Sequence, residues 1–303
     1  MRVRVRVPAT SANLGPGFDA LGLALALYNE VTASEADDLS VTVEGEGRGR
    51  LDGGAKNVVA RGVALGFEAA GRPFRGARLH CVNRIPLGRG LGSSAAAWVG
   101  GLVAANALMG EPLDRDALVT IAARAEGHPD NVAAAVLGGL TVSCGDAAGV
   151  TAVSLPVPAE IEWVVLLPET ESSTREARAV LPQSLPHADA VFNVQRVSLL
   201  LAALGTGRAD LLGRAMQDRL HQPYRLRLFP WMEAVVAAGR AAGALGCVLS
   251  GAGPSMLAAA RARDGAAVAQ AMADALRAAG ITGRALSLPV DSRGATWERL
   301  PET

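Results

Sequence analysis

Valine and arginine alternate without a break from Arg2 to Val7. That period of two predicts a strand with one face buried. Two more strand-like runs follow, LALYNEVTAS and LSVTVEGE. Between Asn57 and Ala70 the apolar spacing changes to that of an amphipathic helix, which Gly71 and Pro73 stop. ARLHCVN reads as a strand, and a glycine-rich loop then leads into an alanine-rich helix running to about Met109. Asp114 caps a further helix carrying Leu118, Ile121 and Ala125, and the strand GGLTVSC closes this half.

The second half has another rhythm. IEWVVLLP reads as a strand, with helical segments at about 189–204, 209–220 and 231–242. The short strands GCVLS and SMLAAAR, a helix over Ala266–Ala279 and a last strand ALSLPV follow. Strand, helices, strand, strand, helix, strand is the order of a split βαβ sandwich of the ferredoxin-like kind. At 303 residues the chain suits two domains. The stretch GDAAGVTAVSLPVPAE, rich in small residues, is the expected boundary, which gives domains over 1–152 and 153–303.

Composition narrows the picture. The chain is 50% hydrophobic and 19% charged, as in a folded protein rather than a disordered one. Its 29 basic and 29 acidic residues cancel, leaving no global field to recruit nucleic acid or an acidic membrane. Lys56 is the only lysine; the arginine and alanine excess reads as codon bias. Cys81, Cys144 and Cys247 stand far apart in apolar runs, which predicts buried, reduced thiols in a cytosolic protein. The opening MRVRVRVPAT lacks the apolar segment of a signal peptide. No uninterrupted apolar run reaches the ~18 residues of a membrane span.

Four segments carry candidate chemistry. PLGRGLGSSAAA, Pro86 to Ala97, sets Gly88, Gly90 and Gly92 ahead of Ser93, Ser94 and a helix. Glycine inside regular structure costs roughly 0.5–1 kcal/mol against alanine, so the cluster has a purpose. A glycine loop opening a helix offers unpaired N–H groups and the positive end of the helix dipole to a phosphate. It is not a GxxxxGK[ST] loop, because it has no lysine, and a tight helix-packing turn is the other reading. Ser93 and Ser94 suit either a helix cap or a Mg²⁺ ligand. PATSANLGPGFDALGLAL concentrates Ser11, Asn13 and Asp19 among glycines in one connection, beyond the needs of an Asx turn. AEGHPDNVAAAVLGG places His128, Asp130 and Asn131 at a helix start marked by Pro129. LSGAGPSM joins two short strands and by itself reads as a glycine-rich hairpin.

Together these segments resemble the GHMP kinase superfamily, all three of whose motifs are present. VPATSANLGPGFDALGLAL, EGHPDN, STREAR and HQPYR are most similar to its homoserine-phosphorylating branch. The resemblance covers nearly the whole chain and thins only at the C-terminal end. It implies an α+β, two-domain GHMP kinase fold, with an N-terminal mixed-sheet nucleotide domain, a C-terminal ferredoxin-like α/β sandwich and the active site between them. It also implies ATP and L-homoserine as substrates, Mg²⁺ as cofactor, a cytoplasmic location and a homodimer. Pro86, Leu87, Gly88, Arg89, Gly90, Leu91, Gly92, Ser93 and Ser94 would wrap the ATP phosphates. Ser94 and Glu126 would ligate the metal. Asn57 would lie near the adenine, and Ser250, Gly251 and Gly253 would brace the phosphate loop. Asn13, Asp19, His128, Asp130 and Asn131 would form the homoserine pocket, with Arg178 and Arg225 closing on the carboxylate.

One position bears on mechanism. Many members of the superfamily carry an aspartate base where this chain has Asn131, and an amide takes no proton at neutral pH. Phosphoryl transfer proceeds largely by positioning and charge stabilisation, so direct attack by the side-chain hydroxyl is expected. Asp19 is the one nearby carboxylate considered as a base. The alternatives are another small-alcohol kinase of the superfamily and a non-catalytic ligand-binding member. Loss of Ser94 or Glu126 would mark the latter, and both are present.

Overall fold

The computed structural model describes residues 1–301, so the last two residues of the expected second domain lie outside the described residues. Strand β1 (Arg2–Asn13) buries Val3, Val5 and Val7 completely and turns Arg2, Arg4 and Arg6 to the other face. β2 (Gly17–Glu35) returns antiparallel beside it, with register shifts at Pro8/Ala9 and Ala12/Asn13. β3 (Ser40–Gly45) runs parallel to β4 (Ala77–Asn83), which is antiparallel to β2, so the sheet is mixed. Helices α1 (Val58–Ala69), α2 (Ser93–Leu108), α3 (Arg115–Glu126) and α4 (Asp130–Leu137) build the core on the valine face.

Helix α2 is buried along almost its whole length, which is why it is apolar all round rather than amphipathic. Small residues set its spacing: a Cβ on Gly101 would collide with the Val59 carbonyl of α1. β5 (Leu140–Gly145) joins β2, and β6 (Val150–Leu155) pairs with β5. The expected boundary at 152/153 thus falls inside β6, a half-exposed edge strand whose small residues read as a linker. The change of sheet comes between Leu155 and Ile161.

In the second half, β7 (Ile161–Pro168) is followed by α5 (Thr174–Ala179), α6 (His187–Gly205), α7 (Leu212–Ala215), α8 (Gln222–Arg225) and α9 (Met232–Ala241). Then come β8 (Gly246–Leu249), β9 (Met256–Arg261), α10 (Gly265–Ala278) and β10 (Gly283–Ser287). The antiparallel order β10-β7-β9-β8 is the ferredoxin-like arrangement that the element order predicts. The helix expected over 209–220 is shorter: a 3₁₀ turn, Ala209–Leu211, runs into α7. β7 is a continuous apolar run because both its faces are buried. Val164 and Leu166 face α9 and α10, while Trp163, Val165 and Leu167 share a core with the first half.

A final strand, β11 (Thr296–Leu300), was not evident from sequence pattern. It returns to the first sheet, antiparallel to β1. Helix α6 has the length and apolar composition of a bilayer span, but Asp189 and Arg196 interrupt it, and Leu200, Ala203 and Leu204 are buried in the core. Cys81 and Cys247 are buried free thiols, and burial pushes both up to about 12. Cys144 is exposed, contrary to the expectation that all three are buried, because it lies at the end of β5.

Candidate active site

The loop between β4 and α2 holds Gly88, Gly90 and Gly92 at φ 62, 72 and 67°, a left-handed backbone that favours glycine. Close approach demands glycine as well. A Cβ on Gly90 would strike the Ser250 carbonyl, and one on Gly92 the Thr10 hydroxyl. Gly92 is the N-cap of α2, and no side chain caps the helix. The first turn of α2 therefore has its N–H groups available to an anion at the positive end of the dipole.

The Ser94 hydroxyl is not a cap. It donates to Glu126 Oε2 at 2.7 Å. Glu126 is the last residue of α3, largely buried, at the helix end where the dipole disfavours negative charge. Burial raises its pKa, with the Ser94 hydrogen bond and the nearby His128 opposing. A hydroxyl and a withdrawn carboxylate beside an uncapped helix start are hard oxygen donors. Mg²⁺ takes such a set of one or two carboxylates completed by phosphate oxygens and water, so the residues fit that ion. Among the described residues no cluster of three or more His, Cys, Asp or Glu forms a self-sufficient metal site.

The α3–α4 connection places the next group. His128 Nδ1 donates to Asp130 Oδ1 at 2.7 Å, which also accepts from the Asn131 N–H at 2.7 Å. Burial lowers the His128 pKa, but the Asp130 hydrogen bond and charge, with Glu126, outweigh it and raise the value. Asn131 Oδ1 accepts from the Thr10 hydroxyl at 2.8 Å, so its amide is fixed in both position and role.

The β8–β9 turn braces this assembly from the second half. The Gly90 carbonyl can only accept, so Ser250 Oγ donates to it at 2.7 Å and receives the Ser11 hydroxyl at 2.8 Å. Gly251 N–H donates to the Ala12 carbonyl, and Asn13 Nδ2 to the Gly251 carbonyl. A strap over residues 169–178 crosses the glycine loop: Ser172 N–H donates to the Gly88 carbonyl, and Arg89 Nη2 to the Glu169 carbonyl. The strap ends in α5, opened by a Ser173/Glu176 capping box. There Arg178 makes a two-pronged contact with Asp19, at 3.0 and 2.6 Å. Arg225, on α8, is 2% exposed. It donates to the Ala177 and Gly251 carbonyls and to His221 Nδ1, and among the described residues no carboxylate forms an ion pair with it. Burial and the Arg178 charge push its pKa down to about 10.

The result is a cleft of about 160 Å³ bounded by the glycine loop on one side and Arg178 and Arg225 on the other. Asn57 does not enter it. Its side chain caps α1 and lines an adjoining cavity of about 250 Å³ with Lys56, Asn83 and Leu87.

The sequence is similar to the GHMP kinases N terminal domain over residues 53–139 and to the GHMP kinases C terminal domain over 200–278. The homoserine kinase of Moorella thermoacetica is 49% identical over 272 residues, 89% of this chain and 92% of that protein. The homoserine kinase of Carboxydothermus hydrogenoformans is 46% identical, covering 97% of this chain and 96% of that protein. The chain belongs to the homoserine kinase family of GHMP kinases. The crystal structure of homoserine kinase from Cytophaga hutchinsonii superposes on it with a TM-score of 0.89 at 33% identity, covering 98% of this chain and 97% of that one.

In this kinase, Asn13, Asp19, Glu126, His128, Asp130, Asn131, Arg178 and Arg225 all line one cleft with the glycine loop. Leu87 faces the adjoining cavity, and Ser250 lies beneath the loop. Phe18, Ser172, Ser173 and Thr174 also line the cleft and were not singled out from sequence. The S-x-x-E spacing of Ser173 and Glu176 was a legible signal for the helix that carries Arg178.

A pH dependence arises here. His221 is wholly buried between Phe18, Arg225, Asp218 and the Gly15 carbonyl, and burial pushes its pKa down to about 4. Asp218 and Asp19 favour its charged form and Arg225 opposes it. The unfolded chain takes up this proton near pH 6.5, so the stability it confers is complete above that and is lost as pH falls toward 4. His128 is shifted the other way and titrates above this window. Urea unfolding at closely spaced pH values should show stability declining through that interval, and a flat profile would count against a buried neutral His221.

Proposed function

We propose that the protein transfers the γ-phosphoryl group of ATP to the side-chain hydroxyl of L-homoserine, giving O-phospho-L-homoserine for threonine biosynthesis in the cytoplasm. The observation that carries this reading is the pairing across one cleft of an uncapped, glycine-led helix start with a buried guanidinium that has no direct carboxylate contact among the described residues. The first suits phosphates; the second suits the carboxylate of an amino acid. ATP would lie with its phosphates on Pro86–Ser94 and its adenine in the cavity of Asn57 and Lys56. Ser94 and Glu126 would hold Mg²⁺, which when bound neutralises charge on the phosphate oxygens. Asp130 suits the substrate ammonium, and Asn13, Asp19 and His128 complete its pocket. The family resemblance alone carries the expectation of a second copy of the chain as partner.

In this reading neither Asn131 nor Asp19 serves as a strong base. The Asn131 amide is committed to Thr10 and Asp130, and both Asp19 oxygens are taken by Arg178. The hydroxyl would attack directly, with its proton leaving late or to phosphate. Asn131→Asp should therefore slow turnover, because it sets a new charge beside Asp130 and the phosphates and replaces the Nδ2 donor to Asp130 with a second acceptor. A faster variant in steady-state kinetics would show that a base was merely missing. Coupled-assay turnover of homoserine, mevalonate and galactose tests the assignment as a whole. Preference for another alcohol would favour a different small-alcohol kinase, and no turnover with any would favour a ligand-binding protein.

A further inference from the structure

His221 has 0% exposure and no part in the phosphoryl-transfer reading, yet both its ring nitrogens have partners of fixed character. Nε2 lies 2.8 Å from the Gly15 carbonyl oxygen. That oxygen only accepts, so Nε2 carries the proton. Nδ1 lies 3.1 Å from Arg225 Nη1. A guanidinium only donates, so Nδ1 presents its lone pair. The neutral Nε2–H tautomer follows from the partners alone. Asp218 Oδ2 is 3.5 Å from Nε2, but it already accepts the His221 and Gln222 N–H groups.

The ring closes a circuit between the two halves of the chain. Arg225 Nη1 also donates to the Gly251 carbonyl at 2.8 Å, and Asn13 Nδ2 donates to the same oxygen at 3.0 Å. Asn13 Oδ1 in turn accepts the Asp19 N–H at 3.1 Å. Asn13, Leu14 and Asp19 have φ of 71, 47 and 55°, a left-handed backbone that persists in such residues only where surroundings fix it. His221 supplies one of those fixing bonds, through Gly15.

We propose that His221 is a positioning residue for the amino-acid substrate, its neutral ring holding the Arg225 guanidinium with one nitrogen and the Asn13–Asp19 turn with the other. The inference rests on Arg225 being the ligand of the substrate carboxylate. A protonated ring would aim an Nδ1–H at the guanidinium, so only the neutral form serves.

Two substitutions separate the bonds. Asparagine puts its oxygen where Nδ1 stands and keeps the contact to Arg225; glutamine puts its amide where Nε2 stands and keeps the contact to Gly15. His221→Gln should raise KM for homoserine by roughly 10-fold, as expected for losing a hydrogen bond to a charged group, with KM for ATP unchanged. His221→Asn should raise it less. In an Arg225→Lys background, His221→Gln should add little. Equal effects of His221→Gln on both substrates, or none on homoserine while Arg225→Lys raises its KM, would overturn the proposal. An Arg225→Lys enzyme with unaltered homoserine KM would instead overturn the carboxylate reading beneath it. Should the His221 variants not fold, ¹⁵N-histidine NMR of the unaltered enzyme decides. A neutral Nε2–H ring whose Nδ1 resonance shifts when homoserine is added supports the role; an Nδ1–H tautomer, or no shift, refutes it.

Discussion

Arg225→Ala should lower kcat/KM for homoserine by roughly 30-fold or more, since truncating one partner of a buried charge pair costs about 2–5 kcal/mol. The guanidinium is 2% exposed and, among the described residues, meets only neutral acceptors within hydrogen-bond distance. Asp19, Asp218 and Asp130 favour its charged form from farther off, so the direct contact site for an anion stays open on the cleft side. KM for ATP should hardly move, because the glycine loop proposed to hold its phosphates lies across the cleft. The substitution also strands the Ala177 and Gly251 carbonyls, so Arg225→Lys belongs beside it. Lysine keeps the charge and loses the planar fork, and it should be intermediate in homoserine kinetics. The reading fails if homoserine kinetics stay intact, or if both substrates weaken alike in variants that melt normally. Arg178 is a weaker test, because its guanidinium already serves Asp19 and is more than a third exposed.

Ser94→Ala should cut kcat by roughly 10²–10³, the usual cost of removing one preorganised electrostatic contact. Serine at a helix start is ordinarily suspected of capping, but here Gly92 holds the cap position and the hydroxyl points to Glu126. Its loss should therefore spare the fold while leaving a withdrawn carboxylate without its donor. Excess Mg²⁺ should restore part of the rate. Full activity in the alanine variant would make the hydroxyl a structural accessory to Glu126 and nothing more.

Much of this was legible in residue order. The valine–arginine alternation of β1, the apolar run of β7 and the ferredoxin-like succession all came from spacing. Four short elements did not. β6 is a half-exposed edge strand, α8 spans a single turn with proline at its start, and α5 declares itself only through its capping box. β11 depends on β1, from which it is separated by nearly the whole chain, and no local pattern announces such a partner. The site divides in the same way. Motifs pointed to most of the residues of one cleft, with Asn57 and Leu87 in the adjoining cavity, but which side chains join each other is a tertiary matter. Asp19 and Arg178 read as two separate ligands of the substrate and stand as a pair. His221 read as part of a motif flanking Arg225 and proves to be wedged beneath it.

The return of β11 to β1 also has a cost during synthesis. Until residues 296–300 leave the ribosome, β1 has only β2 beside it, and its other side is a bare row of N–H and C=O groups able to recruit a neighbouring nascent chain. Arg2, Arg4 and Arg6 stand along that margin on the outer face. Like charges at every second residue make two such margins repel when they meet. The alternation that first marked β1 as a strand also guards it against self-association until its last neighbour arrives.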